Sequence, residues 1–368
     1  MRRAAALVVA WLMLGAFDEP VTLAYDPGAS LEDRVAGSSP SNSPPEPGEQ
    51  YPASRTDEAM PRDVQPPRAR SAARAQWRAT VDASVVADSN ITNATDMETV
   101  ELDLGDQVIP VPLDPRYRER DGIGVGVSAS VGGRVPVASG VALAVDAEGY
   151  LLEYEGGSTD DASMLLAAGV ELSGGGGRIV LVQLTGFERR YGGFTAMRGF
   201  GLRGRVVQPV GEGQRVSLFV DARSFQSEYG DDFEGTEAGA YLTYDAVLRP
   251  DLSAAVGAYA RGSWLGAEAY SSRDFGIYGG LNHYLTNDLA GGVSTGVSRV
   301  SFDGPIVQLS PEARRDWRWH ASAYLTTRRP LLIGLTPSLT YTYNRTGSSI
   351  EFYRSDRHRL RFGLSRSF

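Results

Sequence analysis

The amino-acid sequence predicts an all-β fold: a single closed antiparallel barrel of about 14 strands that spans a membrane. Three observations lead to this prediction. The chain starts with an export signal, its apolar and polar residues alternate strictly along many segments, and the connections between those segments alternate between short and long. The barrel is expected over residues 77–368, after a signal peptide over residues 1–24 and a disordered Pro-rich acidic linker over residues 25–76.

The N-terminus has the three parts of a secretory signal peptide. Arg2 and Arg3 provide the positive charge, residues 4–14 form the apolar run, and small residues follow, so that cleavage after Ala16 or Ala24 fits. The alternative interpretation is a membrane anchor, but the run is too short to span a bilayer comfortably. No later apolar run approaches the ~18 residues of a spanning helix. The pattern therefore indicates an exported protein and excludes a helical membrane protein.

The segment after the signal has the composition of a disordered linker. Residues 18–60 contain nine acidic residues and two arginines, a net charge of −7 out of −9 for the chain, together with many prolines and serines. Such a segment cannot bury enough apolar surface to offset the entropy lost on ordering. A basic stretch follows it, formed by Arg68, Arg70, Arg74 and Arg78. This stretch fits either a solvated approach to the first strand or contact with anionic lipid or a partner.

From Trp77 onward the hydrophobic pattern has a period of two, which is typical of strands with one apolar and one polar face. Trp77, Ala79, Val81, Ala83 and Val85, for example, alternate with polar neighbours. A half-exposed soluble sheet or a membrane barrel would both give this pattern. About fourteen such segments start near residues 77, 122, 140, 162, 178, 195, 215, 236, 252, 274, 289, 317, 336 and 358.

The connections between the segments favour the membrane barrel. Short connections are expected at residues 136–140, 174–177, 209–214, 250–251, 285–288 and 329–335. Long connections are expected at residues 88–121, 155–161, 187–194, 226–235, 266–273, 303–316 and 345–357. Short turns on the periplasmic side and long loops on the outer side are characteristic of outer-membrane barrels. A sheet of this size also needs closure to remove its edge strands.

Charged residues of both signs fall on the polar faces of the predicted strands. A charge facing lipid near the bilayer midplane would cost up to a few kcal/mol, so these side chains are expected to point into the lumen. The candidates for lining the lumen are Arg78, Asp82, Arg203, Arg205, Asp221, Asp245, Arg261, Arg359 and Arg361. The aromatic residues fall mainly on the apolar faces near strand ends, where their rings suit the membrane interface.

The last strand ends the chain on an aromatic residue in the correct phase. Its apolar residues, Leu360, Phe362, Leu364 and the terminal Phe368, resemble the signal read by the machinery that assembles outer-membrane barrels. We therefore expect these four residues to act as an assembly signal.

No residue constellation predicts catalysis, a cofactor or a metal. The chain lacks cysteine, and His283, His320 and His358 are far apart and have no nucleophile signature beside them. The segment Gly199-Phe200-Gly201-Leu202-Arg203-Gly204 matches G-x-G-x-x-G but lies within a predicted strand, whereas a dinucleotide site needs a helix after it. The net charge of −9 argues against a nucleic-acid partner. We expect a protein that is not an enzyme.

The C-terminal part resembles a known family. The residues that carry the resemblance are Arg314-Arg315-Asp316, Gly334-Leu335-Thr336-Pro337, Leu339-Thr340-Tyr341, Ser348-Ser349-Ile350, Phe352-Tyr353, Asp356-Arg357, Gly363-Leu364-Ser365-Arg366-Ser367-Phe368 and, near the start, Asp88-Ser89-Asn90. This ordered set is similar to the barrel of the surface lipoprotein assembly modifier (Slam) family. The family typically has tetratricopeptide repeats before its barrel, whereas this position holds the Pro-rich linker here.

The resemblance implies a fourteen-stranded barrel in the outer membrane of a Gram-negative cell, which moves a lipoprotein or another exported protein to the cell surface. The expected route combines the polar lumen with lateral opening between the first and last strands, near Trp77 and His358. The alternative is a passive porin-like channel or a structural barrel without cargo transfer. The expected partners are outer-membrane lipid, the barrel assembly machinery and possible lipoprotein or secreted cargo, with no nucleic acid.

Overall fold

The computed structural model describes residues 75–103, 107–115, 118–156, 159–327 and 334–368. The predicted signal peptide lies outside the described residues, and so does the predicted linker up to residue 74. Within the described ranges, no helix has both the length and the hydrophobicity needed to cross a membrane.

The described residues form sixteen strands, and fourteen of them make one closed antiparallel barrel, as the alternation predicted. The strands are β1 (Gln76–Asp88), β2 (Thr99–Asp103), β3 (Val108–Pro112), β4 (Gly122–Ala138), β5 (Val141–Tyr154), β6 (Asp161–Ser173), β7 (Ile179–Tyr191), β8 (Phe194–Gly211), β9 (Gln214–Gln226), β10 (Gly235–Arg249), β11 (Leu252–Leu265), β12 (Ser272–Tyr284), β13 (Leu289–Pro305), β14 (Ala313–Thr327), β15 (Thr336–Ser348) and β16 (Ser355–Ser367). Within the described ranges, single turns of 3₁₀ helix include Gly175–Gly177, Asp231–Phe233 and Glu351–Tyr353, each in a connection between strands.

Each barrel strand pairs with its neighbours in the chain, and β1 closes the barrel by pairing with both β4 and β16. The two remaining strands, β2 and β3, form a separate hairpin inside the loop that joins β1 to β4. Each barrel strand starts within four residues of its predicted start, and the largest difference is at Ala313, which was expected near residue 317. The hairpin was not predicted, because its short segments lie in a stretch read as one long loop.

The burial pattern confirms that each strand has two faces. In β1, Thr80, Asp82 and Ser84 are buried inside the barrel, whereas Val81 and Val85 are about half exposed on the outside. The outer face is apolar because it contacts lipid instead of water, and the inner face carries the polar groups.

One connection that the sequence predicted as long is a tight turn. β7 ends at Tyr191 and β8 starts at Phe194, so only Gly192 and Gly193 connect them. Their φ angles of 55° and 89° lie in the left-handed region, which glycine adopts without a steric penalty. The two glycines therefore allow a two-residue hairpin where a long connection over residues 187–194 was expected.

Several tyrosine rings lie flat against the inner wall, over glycines of the adjacent strand. The Tyr278 ring covers Gly257, the Tyr259 ring covers Gly276, and the Tyr324 ring is placed over Gly292 in the same way. A Cβ atom at Gly257 or Gly276 would meet the ring at a distance that real side chains do not reach. These glycines make room for large rings along the wall instead of across the lumen.

Candidate functional site

The candidate site is the barrel interior, and the first part of it is a set of ion pairs in the periplasmic half. Asp146 of β5 accepts hydrogen bonds from Arg134 of β4 at 3.0 Å, from Gln183 of β7 at 2.6 Å and from Arg203 of β8 at 3.1 Å. Arg134 also pairs with Glu171 of β6 at 3.0 Å. This network joins five neighbouring strands, so each charged group is compensated by partners from other strands.

A second set of ion pairs continues around the wall on β9, β10 and β11. The carboxylate of Glu237 accepts hydrogen bonds from Arg223 and Arg261, both at 2.7 Å, and Arg215 donates to Asp245 at 3.0 Å. Glu237, Arg215 and Asp245 are buried. We call the inner faces of β5–β11, which carry most of these charges, the charged arc.

The opposite part of the wall is lined by small hydroxyl side chains. The buried hydroxyl residues there include Ser322, Thr326, Ser338, Thr340, Thr342, Ser365 and Thr80, mostly toward the periplasmic ends of β14–β16 and β1. Toward their external ends the same strands carry buried charges, among them Asp88, Arg314, Asp316, Arg318, Arg357 and Arg359. Some of the hydroxyls bond to backbone oxygens nearby: Thr326 donates to the carbonyl of Pro337 at 3.1 Å, and Ser365 to that of Thr336 at 3.4 Å. We call this surface the hydroxyl arc.

The hydroxyl arc borders the junction between the first and last strands, which we call the seam. The ladder between β1 and β16 covers only Thr80–Asp88 of β1, which makes it the shortest of the barrel's fourteen ladders. Two ion-pair groups hold the seam on its inner side. Asp88 contacts Arg357 at 2.7 Å and Arg359 at 3.1 Å, and Asp82 pairs with Arg361. The shortest ladder is therefore reinforced by charges on both of its strands.

The long loops pack together over the external mouth of the barrel. Their buried apolar side chains form one cluster, which we call the external cap: Val100, Leu102, Leu113, Tyr270, Ile306, Ile350, Phe352 and Tyr353. The first three belong to the loop that contains the β2–β3 hairpin, and Tyr270 belongs to the loop between β11 and β12. In the closed ring of strands, the β1–β4 junction lies almost opposite the β11–β12 junction. Because loops from both junctions contribute to the cluster, the cap reaches across the mouth.

A buried arginine anchors the cap to the barrel wall. The guanidinium carbon of Arg314, at the start of β14, lies 4.2 Å from the centre of the Phe302 ring and 3.7 Å from that of Tyr353. The same guanidinium donates to Asp316 at 2.6 Å. The stacked rings of Phe233 and Tyr270, with centroids 4.6 Å apart, extend the contact to the loop between β9 and β10. The cap is therefore fixed by cation–π contacts, an ion pair and aromatic stacking.

Hydrogen bonds also link neighbouring loops and strand ends around the external rim. Backbone bonds of 2.9 Å run, for example, from Gly192 to Asp160, from Glu228 to Thr195, from Gly266 to Glu234, from Asp303 to Ser271 and from Ser349 to Arg315. Tyr229 adds a side-chain bond to the carbonyl of Tyr191 at 3.0 Å, and burial raises the pKa of Tyr229 to about 12. The rim is thus a connected structure and not a set of independent loops.

Two carboxylates outside the strands, one at each end of the barrel, have pKa values shifted in opposite directions. In the first external loop, burial together with the nearby Asp96 and Asp356 raises the pKa of Glu119. At the periplasmic turn after β10, the side chain of Asp251 lies 2.9 Å from the imidazole of His283. This hydrogen bond lowers the pKa of Asp251.

The structure places all nine predicted lumen residues on the inner face. Asp82, Arg203, Asp245 and Arg359 are buried, whereas Arg78, Arg205, Asp221, Arg261 and Arg361 are partly buried. Their role in lining a path for cargo stays a prediction. Sequence reasoning did not identify most of their partners, including Arg134, Gln183, Arg215 and Glu237. Each of these residues has the inner phase of its strand, but which ones meet depends on strand register.

The four residues of the predicted assembly signal lie on the last strand and at its end. Leu360, Phe362 and Phe368 are exposed on the outer face, and Leu364 is partly buried. Their role in assembly stays a prediction. The three histidines lie in separate places: His320 bonds to Asn344, His358 to Tyr341, and His283 to Asp251 at the periplasmic turn.

Comparison with known proteins gives one family match. The family model described as surface lipoprotein assembly modifier matches residues 77–368. No curated protein gives a significant match. Solved structures with a similar fold include the outer membrane channel DcaP of Acinetobacter baumannii, with 12% identity, a TM-score of 0.44 and coverage of 81% of this chain and 99% of that chain. Another is an outer membrane channel from Pseudomonas putida F1, with 12% identity, a TM-score of 0.42 and coverage of 83% and 100%.

Proposed function

We propose that this chain, which belongs to the surface lipoprotein assembly modifier family, moves a lipoprotein or another exported protein across the outer membrane and displays it at the cell surface. The observation that carries the proposal is the family match over residues 77–368, which include the whole barrel apart from the first residue of β1. The protein is an outer-membrane barrel and therefore contacts outer-membrane lipid. The cargo and the barrel assembly machinery are further partners within the proposal.

The two ends of the barrel suggest how cargo would pass. The periplasmic side has mostly short turns, whereas the external cap covers the opposite mouth. A polypeptide that enters from the periplasm must therefore displace the cap or leave through the wall. The polar inner wall offers hydrogen-bonding groups to a passing chain, with charges on one side and hydroxyls on the other.

We assign the lateral route to the seam. Its ladder is the shortest, so separating β1 from β16 breaks fewer backbone hydrogen bonds than separating any other pair. The ion pairs of Asp88 and Asp82 with the arginines of β16 oppose the separation. These side chains can form new hydrogen bonds with water or cargo once the strands part, which limits the cost of opening.

Disulfide locking tests this route, because the chain has no cysteine of its own. Ala83 and Leu364 face each other across the seam, and the double variant Ala83→Cys/Leu364→Cys can join the two strands. Val220→Cys/Ala240→Cys provides the matched control between β9 and β10. Surface biotinylation and mass spectrometry would measure the exported lipoproteins displayed by cells that carry each variant.

We expect the oxidised seam variant to lose surface display, the reduced form to recover it, and the control to display normally. Unchanged display with a fully formed seam disulfide would reject the lateral route alone. If deleting the whole gene leaves every surface lipoprotein in place, the translocation function itself is wrong.

The alternative function is a passive porin-like channel, and the charged inner wall is the observation that favours it. Planar-bilayer recording separates the two functions. A translocator whose mouth is covered by the external cap should conduct little in the wild type, and Arg314→Ala, which removes the anchor of the cap, should raise the conductance. Steady ion conductance by the wild type would support the passive channel.

A further inference from the structure

Four arginines lie on the outer face of the barrel at the external ends of four consecutive strands. Arg273 belongs to β12, Arg299 to β13, Arg315 to β14 and Arg345 to β15, and all four side chains are exposed. We call this surface the arginine girdle. Because it faces outward near the external loops, it lies in the leaflet of the membrane that faces the cell exterior.

Strand register brings three of these arginines together. Ser301 of β13 pairs with Arg273 on one side and with Arg315 on the other. Arg299 is two residues from Ser301 on the same face, so it lies diagonal to both arginines, roughly 7–8 Å away between Cα atoms. Like charges at this spacing repel each other, and an anion bound between them would remove the repulsion.

The girdle has few acidic partners. Arg273 approaches Asp303 at 3.7 Å and Arg345 approaches Asp356 at 3.8 Å, and both are long contacts between partly exposed groups. Within the part of the chain that the structure describes, no carboxylate forms an ion pair with Arg299 or Arg315. The girdle therefore keeps an excess of positive charge.

The wall below the girdle is apolar and aromatic. Phe275, Ile277, Trp317 and Trp319 are exposed there, and the guanidinium carbon of Arg299 lies 5.3 Å from the centre of the Trp317 ring. A positive rim above an apolar wall matches an amphiphile with an anionic headgroup and acyl chains. The stacked tryptophan also holds the guanidinium of Arg299 in place.

Exposed arginines on the opposite side of the barrel, near the external ends of β7 and β8, differ from the girdle because they have acidic neighbours. Arg190 of β7 and Arg198 of β8 are also exposed at external strand ends. Arg198, however, lies directly across from Glu188 in the strand register, and Glu228 lies close to both arginines. Positive charge on that side is balanced within the protein, so the excess belongs to β12–β15.

We propose that the arginine girdle binds the phosphate groups of lipopolysaccharide, the phosphorylated glycolipid of the outer leaflet, with its acyl chains against the aromatic wall. A guanidinium can donate two parallel hydrogen bonds to one phosphate, whereas an ammonium acts as a point charge. A cluster of arginines is therefore well suited to bind phosphate groups. The site is separate from the lumen and the seam. It goes beyond the proposed transport function, because the barrel would bind this glycolipid whatever cargo it carries.

Native mass spectrometry of the full-length mature protein in detergent tests the site, with purified bisphosphorylated lipid A as the probe. The test variant is Arg299→Gln/Arg315→Gln, and Arg190→Gln/Arg198→Gln is the control, with the same change of charge at a similar height on the other side. Heat-dependent gel migration confirms that each variant is a folded barrel. Lipid A without its phosphates and inorganic phosphate as a competitor distinguish a headgroup site from acyl-chain adhesion and from a general anion site.

We expect the test variant to bind lipid A at least tenfold more weakly than the wild type and the control variant to bind it normally. Dephosphorylated lipid A should bind the wild type weakly, and millimolar inorganic phosphate should displace little of the intact lipid. Equal losses in both variants would overturn the proposal, as would equal binding of the dephosphorylated lipid or full displacement by inorganic phosphate.

Discussion

The two sides of the barrel interior solve the same problem in different ways. Both must satisfy polar groups on a wall whose other face is in lipid. The charged arc does so with ion pairs between strands, such as Glu237 of β10 with Arg223 of β9 and Arg261 of β11. The hydroxyl arc uses short side chains that bond to nearby backbone oxygens, as Thr326 bonds to the carbonyl of Pro337.

The difference indicates which side can move. An ion pair between strands is lost when the register changes, and the buried charges that remain are costly. A hydroxyl that bonds to the backbone of the next strand, as Thr326 of β14 does to Pro337 of β15, loses only a neutral hydrogen bond and can exchange its partner for water or a passing chain. The seam borders the hydroxyl arc, but lateral opening must still separate its own ion pairs, Asp88 with Arg357 and Arg359 and Asp82 with Arg361.

The largest effect is expected in the charged arc. Glu237→Gln removes the carboxylate that faces Arg223 and Arg261, and it leaves two arginines near each other inside the barrel. We expect the free energy of unfolding to fall by about 3–5 kcal/mol, as when one partner of a buried ion pair is removed. Guanidinium unfolding in lipid vesicles, followed by tryptophan fluorescence, would measure the change.

The double variant Glu237→Gln/Arg261→Gln serves as the control for this effect. It removes one of the two arginines that had faced the missing carboxylate and should recover part of the lost stability. If Glu237→Gln unfolds like the wild type, the charged arc does not depend on pairing between strands.

A smaller effect is expected where a tyrosine ring covers a glycine. Gly276→Val places a side chain where the Tyr259 ring lies, so the ring must rotate into the lumen. Overpacking of this kind costs about 1–3 kcal/mol. Gly186→Val is the matched control, since a Cβ atom at Gly186 has no neighbour within 4 Å. The same unfolding assay should show a clear loss for Gly276→Val and little change at Gly186. Similar losses at both sites would mean that valine weakens any strand position here.

The sequence predicted the barrel well because alternation is a local property of each strand. The phase of Asp82 or Arg203 is visible from its immediate neighbours, and so is the face to which it points. The partners of these residues were not visible, since Arg203 meets Asp146 three strands away. The external cap was missed for a related reason. In the sequence, Leu102 and Leu113 are isolated apolar residues in a polar loop. They form a core only because Tyr270 and Phe352 of other loops pack against them in the folded protein.

The smallest effect is expected in the hydroxyl arc. Thr326→Val keeps the shape of the side chain and removes the hydroxyl that donates to the carbonyl of Pro337 at 3.1 Å. We expect a loss of about 1 kcal/mol, the usual net contribution of one neutral hydrogen bond. Unfolding under the same conditions as Glu237→Gln would give the ratio of the two effects. A loss as large as that of Glu237→Gln would show that the hydroxyl contacts are no easier to break than the ion pairs of the charged arc.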